Sequence, residues 1–113
     1  VTQTTSNLQT INNRLQQRRA ALALMRAGVK SRRETGESGI ACCHWLSDQV
    51  DEFIRGIVTQ QTESFGVTPD GYAVVAVGGN GRRRPAPFSD VDLLLIMDAK
   101  KQDAVKPCLA AIV

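Results

Sequence analysis

The chain has 113 residues, 42% of them hydrophobic, and a formal net charge of +3, which suits one small domain or a piece of a larger one. Ten arginines stand against four lysines, but the charge is spread along the chain with no interleaved aromatic residues to stack bases, so the pattern does not read as a nucleic-acid binder. Three cysteines, Cys42, Cys43 and Cys108, lack both a disulfide framework and metal-ligand spacing. They read as reduced thiols of a soluble, cytoplasmic protein. The polar start carries no secretory h-region, and no apolar run approaches a bilayer-spanning length.

In chain order, residues 1–6 read as a frayed polar end. The spacing of Leu8, Ile11, Leu15, Leu22 and Met25 predicts a helix from Asn7 to about Ala27, with Gly28 as its stop. Lys30 to Gly39 (KSRRETGESG) reads as a charged loop. A second helix is expected from Ile40 to about Ser64, ending near Gly66. Its apolar stripe comprises Ile40, Cys43, Leu46, Val50, Phe53, Ile54, Ile57 and Val58, with Asp48, Asp51, Glu52 and Arg55 mostly off it. Within this helix His44 has a structural reading, and Trp45 and Phe53 read as packing residues. Thr68-Pro69-Asp70-Gly71 is a turn by composition.

Tyr72–Val77 (YAVVAV) and 91–97 (VDLLLIM) are short valine- and leucine-rich runs, expected as strands buried on both faces. Between them, residues 78–89 hold three glycines and two prolines and predict irregular backbone. Residues 98–113 predict a helix into which Pro107 fits poorly. Two strands do not close a sheet. The expected class is therefore α/β (α+β): residues 1–38 as a helix and linker, then residues 39–113 as the front part of a larger domain.

The chemistry concentrates between Val74 and Met97. Asp90 and Asp92 lie two apart; on a strand they would share a face, their alpha carbons about 6.6 Å apart. Two such carboxylates repel unless a cation lies between them. Magnesium or manganese, with hard oxygen ligands and open positions for phosphate, is the natural partner. Gly78 and Gly79 follow a strand directly, so phosphate oxygens can approach bare backbone there. Ser89 could contact phosphate or cap the turn. The Arg82-Arg83-Arg84 run reads equally as a solvated cluster or as a phosphate or partner contact. The third glycine of a dinucleotide fingerprint and the Gly-Lys-Ser/Thr of a Walker loop are both missing.

Strand, Gly78-Gly79, ten residues, Asp90-x-Asp92 and strand together resemble the active-site signature of the polymerase-beta-type nucleotidyltransferase superfamily. Within it, the chain is similar to the N-terminal part of the bifunctional P-II uridylyltransferase/uridylyl-removing family. Val77, Gly78, Gly79, Gly81, Arg82, Pro87, Ser89, Asp90, Asp92, Leu93 and Leu94 stand at that family's places, and Leu46-Ser47-Asp48 ahead of the core looks similar. Asn80 replaces the usual Tyr, and Arg84-Pro85 the usual Glu-Leu.

The resemblance implies a palm-type mixed sheet, incomplete in this chain. It also implies Asp90 and Asp92 as catalytic metal ligands for Mg2+ or Mn2+. Gly78 and Gly79 would bind nucleotide, with Arg82 or Ser89 as secondary contacts. It further implies transfer of UMP from UTP to a tyrosine of the P-II signal protein, a third carboxylate from a later strand, and downstream hydrolase and sensor domains. Two alternatives stay open: another nucleotidyltransferase of the superfamily, and a non-catalytic nucleotide-binding remnant.

Overall fold

The computed structural model describes the backbone of residues 2–86, 88 and 90–112, and the side chains among these from Leu8 onward. Pro87 and Ser89 lie outside the described residues. Two long helices come first, α1 (Thr2–Glu34) and α2 (Gly39–Phe65). Strand β1 (Tyr72–Val77), a single helical turn α3 (Gly78–Gly81), strand β2 (Asp92–Met97) and helix α4 (Gln102–Ile112) follow. The element order agrees with the sequence reading. The sheet is a two-stranded antiparallel pair in register from Tyr72 opposite Met97 to Val77 opposite Asp92, and not the mixed sheet expected.

Helix α1 is longer than its apolar spacing predicts. Its backbone is helical from Thr2, and the segment expected as a charged loop continues the helix to Glu34. Gly28 does not end it. An ideal Cβ there would lie 2.3 Å from Cη2 of Trp45, so the glycine admits a ring from α2 and the helix runs on. Lys30, Arg32, Arg33 and Glu34 are good helix formers. The stop falls at Gly36, whose φ of 94° is left-handed. Arg32 stacks on Trp45, 4.5 Å from the ring centroid, and also binds Glu37 at 3.0 Å. Ser38 then caps α2, its Oγ accepting from the Ala41 N–H at 3.1 Å. Gly66 closes α2 at φ 65°, its N–H reaching the Thr62 and Glu63 carbonyls.

Two apolar clusters hold these elements together. Val29, Cys42, Leu46 and Val50 join α1 to α2, with Met25, Trp45 and Ile54 against them. Val105, Cys108, Leu109 and Ile112 of α4 pack on Ile57, Val58, Val67, Tyr72, Leu95 and Met97. Pro107 sits inside α4 on its exposed side, where water can satisfy the carbonyl its missing N–H leaves free. Burial pushes the Cys108 thiol pKa up. Arg18 donates from α1 to the Ala111 and Ile112 carbonyls, at 3.0 and 3.2 Å, complementing the C-terminal end of α4. Burial, then the neighbouring Arg14, lowers the Arg18 pKa. Along α1 only Leu22 and Met25 of the expected stripe are partly covered, because Leu8, Ile11 and Leu15 are exposed.

The strands correct another expectation. Burial alternates along both, so they are covered on one face only. Tyr72, Val74, Ala76, Leu93, Leu95 and Met97 form the half-buried inner face. Val75, Val77, Leu94 and Ile96 are exposed on the outer one, Leu94 by 51%. A continuous apolar run cannot distinguish a strand covered on both sides from one covered once. At the sheet end away from α3, Lys101 binds Asp70 at 2.6 Å and the Asp98 N–H reaches the Gly71 carbonyl at 3.0 Å. The hydrogen bonds from Lys101 and Thr68 hold Asp70 below the usual carboxylate range.

Candidate active site around the glycine turn

Residues 78–81 form a helical turn, where the sequence predicts irregular backbone. Its ends are tied by bonds from the Arg82 N–H to the Gly78 carbonyl (3.2 Å) and from the Arg84 N–H to the Gly79 carbonyl (2.8 Å). Gly78 opens it at φ 64°, a conformation open to glycine without steric cost. A Cβ on Gly78 would lie 2.8 Å from Oδ2 of Asp92. The bare backbone of the turn and the second carboxylate of the Asp-x-Asp pair therefore meet directly. This follows from the register, since Asp92 pairs with Val77, the residue before Gly78. Gly81 has a separate reason: a Cβ there would come 2.7 Å from the Ala76 carbonyl oxygen.

The two aspartates stand in different surroundings. Asp92 is the first residue of β2, on the exposed outer face. Asp90 precedes the strand, so strand alternation does not set its direction. It is exposed and borders a cleft of about 180 Å3 whose walls include Leu46 and Val50 of α2, Met25 of α1, and Asn80. Gly79 is closely backed by the Arg84 carbonyl, 3.3 Å from where its Cβ would be. Arg82 is exposed at the end of the turn.

As a donor set, one exposed carboxylate beside side-chain-free backbone, Asp92, with a second exposed carboxylate two residues before it, Asp90, suits a hard divalent cation shared with phosphate oxygens. Asp90 and Asp92 are the residues that could hold it. Among the described residues, no three histidine, cysteine or carboxylate side chains converge to hold a metal ion.

The rest of the arginine run divides. Arg83 donates to Asp48 of α2 at 3.0 Å, and its φ of 57° makes it the only described residue other than glycine with positive φ. Asn80 is 5% exposed and donates through Nδ2 to Oδ1 of Asp51 at 3.1 Å. The sequence places Asp48 and Asp51 on the polar face of α2, with Asp48 also in the Leu46-Ser47-Asp48 stretch of the resemblance, and does not show their link to the turn. Their three-residue spacing places both on one side of a helix, which is the signal that was available.

The chain is similar to part of several bifunctional uridylyltransferase/uridylyl-removing enzymes. It is 41% identical to that of Mycobacterium tuberculosis over 63 residues, 56% of this chain and 6% of the relative. With the enzyme of Phenylobacterium zucineum it shares 33% identity over 106 residues, 83% of this chain and 11% of the relative. With that of Nitrobacter winogradskyi it shares 38% over 88 residues, 74% and 10%. The chain thus spans about a tenth or less of the length of these relatives. No family model matches it, and no solved structure matches it. Among the described residues, no helix is long and apolar enough to cross a membrane.

Proposed function

We propose that this chain is the nucleotide-handling front of a cytoplasmic enzyme that transfers UMP from UTP to a tyrosine of the P-II nitrogen regulatory protein, releasing diphosphate. The observation that carries the reading is the meeting of Gly78 and Asp92, where a carboxylate lies 2.8 Å from the point a Cβ would occupy. Phosphate held on the turn would lie beside the carboxylate whose metal must reach it. The names of the similar proteins support the uridylyl group as the cargo.

In this reading Gly78 and Gly79 receive the triphosphate on bare backbone, and Arg82 adds a positive charge at the end of the turn. Asp90 and Asp92 hold Mg2+ or Mn2+. Bound there, the metal supplies charge neutralisation at the phosphates and activation of the tyrosyl hydroxyl. Ser89, between the turn and the aspartates, is the second candidate phosphate contact. The tyrosyl oxygen attacks the α-phosphorus and the bond to the diphosphate oxygen breaks. No residue here is assigned to reading the uracil edge.

The test is label transfer from α-labelled UTP to P-II with Mg2+, in the full polypeptide carrying this chain. Wild type is expected to label P-II. Asp90→Asn and Asp92→Asn are expected to lose transfer by orders of magnitude. Both side chains are exposed, so unfolding free energy should change by no more than about 0.5 kcal/mol. Equal rates in both variants would overturn the metal assignment. Label from ATP or CTP instead of UTP, or on a small molecule, would indicate another nucleotidyltransferase. Metal-dependent nucleotide binding without any transfer would indicate a binding remnant.

A further inference from the structure

The glycine turn cannot hold its own position. It is a single helical turn of four residues, far below the length at which a helix is stable alone. Three of the four are glycines, with no side chains to pack and the largest backbone entropy to lose on ordering. The one side chain it has is Asn80, which is buried and reaches Asp51 of α2. Just beyond the turn, Arg83 reaches Asp48 on the same side of α2. The Arg83–Asp48 pair is more than half exposed at both ends and so restrains little. The Asn80–Asp51 bond is partly buried, its donor side chain is buried, and its acceptor is charged, the stronger kind. Asp51 is free to accept it, because the nearby Arg55 pairs with Glu52 at 3.0 Å.

We propose that Asp51 is a positioning residue for the site. It holds Asn80 and so fixes the turn against α2, keeping the backbone of Gly78 at the Asp92 carboxylate. The inference rests on the reading of that turn as the phosphate site, and it makes α2 a structural part of the site.

Two substitutions separate the hydrogen bond from the charge. Asp51→Asn keeps an acceptor oxygen and loses the charge, whereas Asp51→Leu loses both. The first readout is hydrogen exchange at the amides of Arg82, Arg83 and Arg84, whose bonds close and flank the turn. Exchange there is expected to rise about tenfold in Asp51→Leu, the scale of one lost hydrogen bond to a charged acceptor, and only about threefold in Asp51→Asn, where a weaker neutral bond remains. Amides of Leu46 to Val50 in α2 should keep their rates in both. Asn80→Leu removes the donor and leaves α2 intact, so it must reproduce the local rise even if Asp51→Leu does not fold.

The second readout is UTP turnover in the full polypeptide. Asp51→Leu should raise KM about tenfold, with kcat changed less, and Asp51→Asn should raise it by a smaller factor, about threefold. Unchanged exchange in Asp51→Leu and Asn80→Leu overturns the proposal, and so does an Asp51→Asn variant as loosened as Asp51→Leu. If wild type turns over no UTP, the transferase reading fails, and the exchange result alone decides whether Asp51 holds the turn.

Discussion

Gly28 in α1 and Gly81 in the turn are both required by closeness, yet their neighbours differ in kind. At Gly28 the missing Cβ makes room for the indole of Trp45, a side chain from another helix. At Gly81 it makes room for the carbonyl of Ala76, part of the strand that leads into the turn. A side chain can rotate or its helix can shift slightly; a carbonyl moves only if β1 moves. The first glycine serves packing between helices, and the second sets where the glycine turn lies relative to the sheet. Gly78 adds a third demand, with its left-handed φ and the Asp92 carboxylate beside it. Identical residues in the sequence thus carry three different physical requirements.

The comparison breaks first at Gly81. Gly81→Ala drives a Cβ into the Ala76 carbonyl, and the turn must lift from β1 to relieve it. We expect a loss of about 2–3 kcal/mol, the upper part of the overpacking range, measured by denaturant unfolding, with nucleotide binding lost alongside. A variant with wild-type stability and binding would show that the turn tolerates displacement from the strand, and the contrast with Gly28 would disappear.

Gly28→Ala should cost less, about 1 kcal/mol, because a clash of about 2 kcal/mol is partly offset by alanine's helix preference of about 1 kcal/mol. Its effect should be confined to packing, leaving nucleotide binding unchanged. Adding Trp45→Leu removes the opposing ring, so Gly28→Ala made in that background should be neutral or stabilising. If Gly28→Ala is still destabilising there, the Trp45 ring is not what requires glycine at position 28.

How much of this was legible in the sequence depends on which interactions are local. The element order was legible because apolar periodicity and turn composition report on a few neighbouring residues. The pairing of the glycine turn with Asp92 was foreshadowed by the spacing, since a strand ending in Gly-Gly and another beginning near Asp-x-Asp bring those ends together when the strands pair. Gly28 was misread as a helix stop, because the reason for that glycine lies 17 positions away at Trp45. The exposed outer face of the sheet was misread for a related reason: YAVVAV and VDLLLIM are apolar on both alternations. The links of Asn80 to Asp51 and Arg83 to Asp48, 29 and 35 residues apart in sequence, leave no mark in local pattern beyond two acidic residues one helical turn apart.

The smallest effect, and the sharpest test of the turn's backbone, is at Arg83. Its φ of 57° is one that a residue with a Cβ adopts at a cost of roughly 1 kcal/mol, while its half-exposed pair with Asp48 returns no more than about 1 kcal/mol. Arg83→Gly removes the strain and the pair together, so its stability should lie within about 0.5 kcal/mol of wild type. Arg83→Ala removes the pair and keeps the strain, and should be less stable than Arg83→Gly by about 1 kcal/mol. That difference, read from paired denaturant curves, depends only on the backbone conformation, since neither variant has a side chain that reaches Asp48. Equal stabilities would mean that position 83 leaves the left-handed region at no cost. The ordered link from Gly79 to Arg84 through which α2 acts on the turn would then be looser than its hydrogen bonds imply.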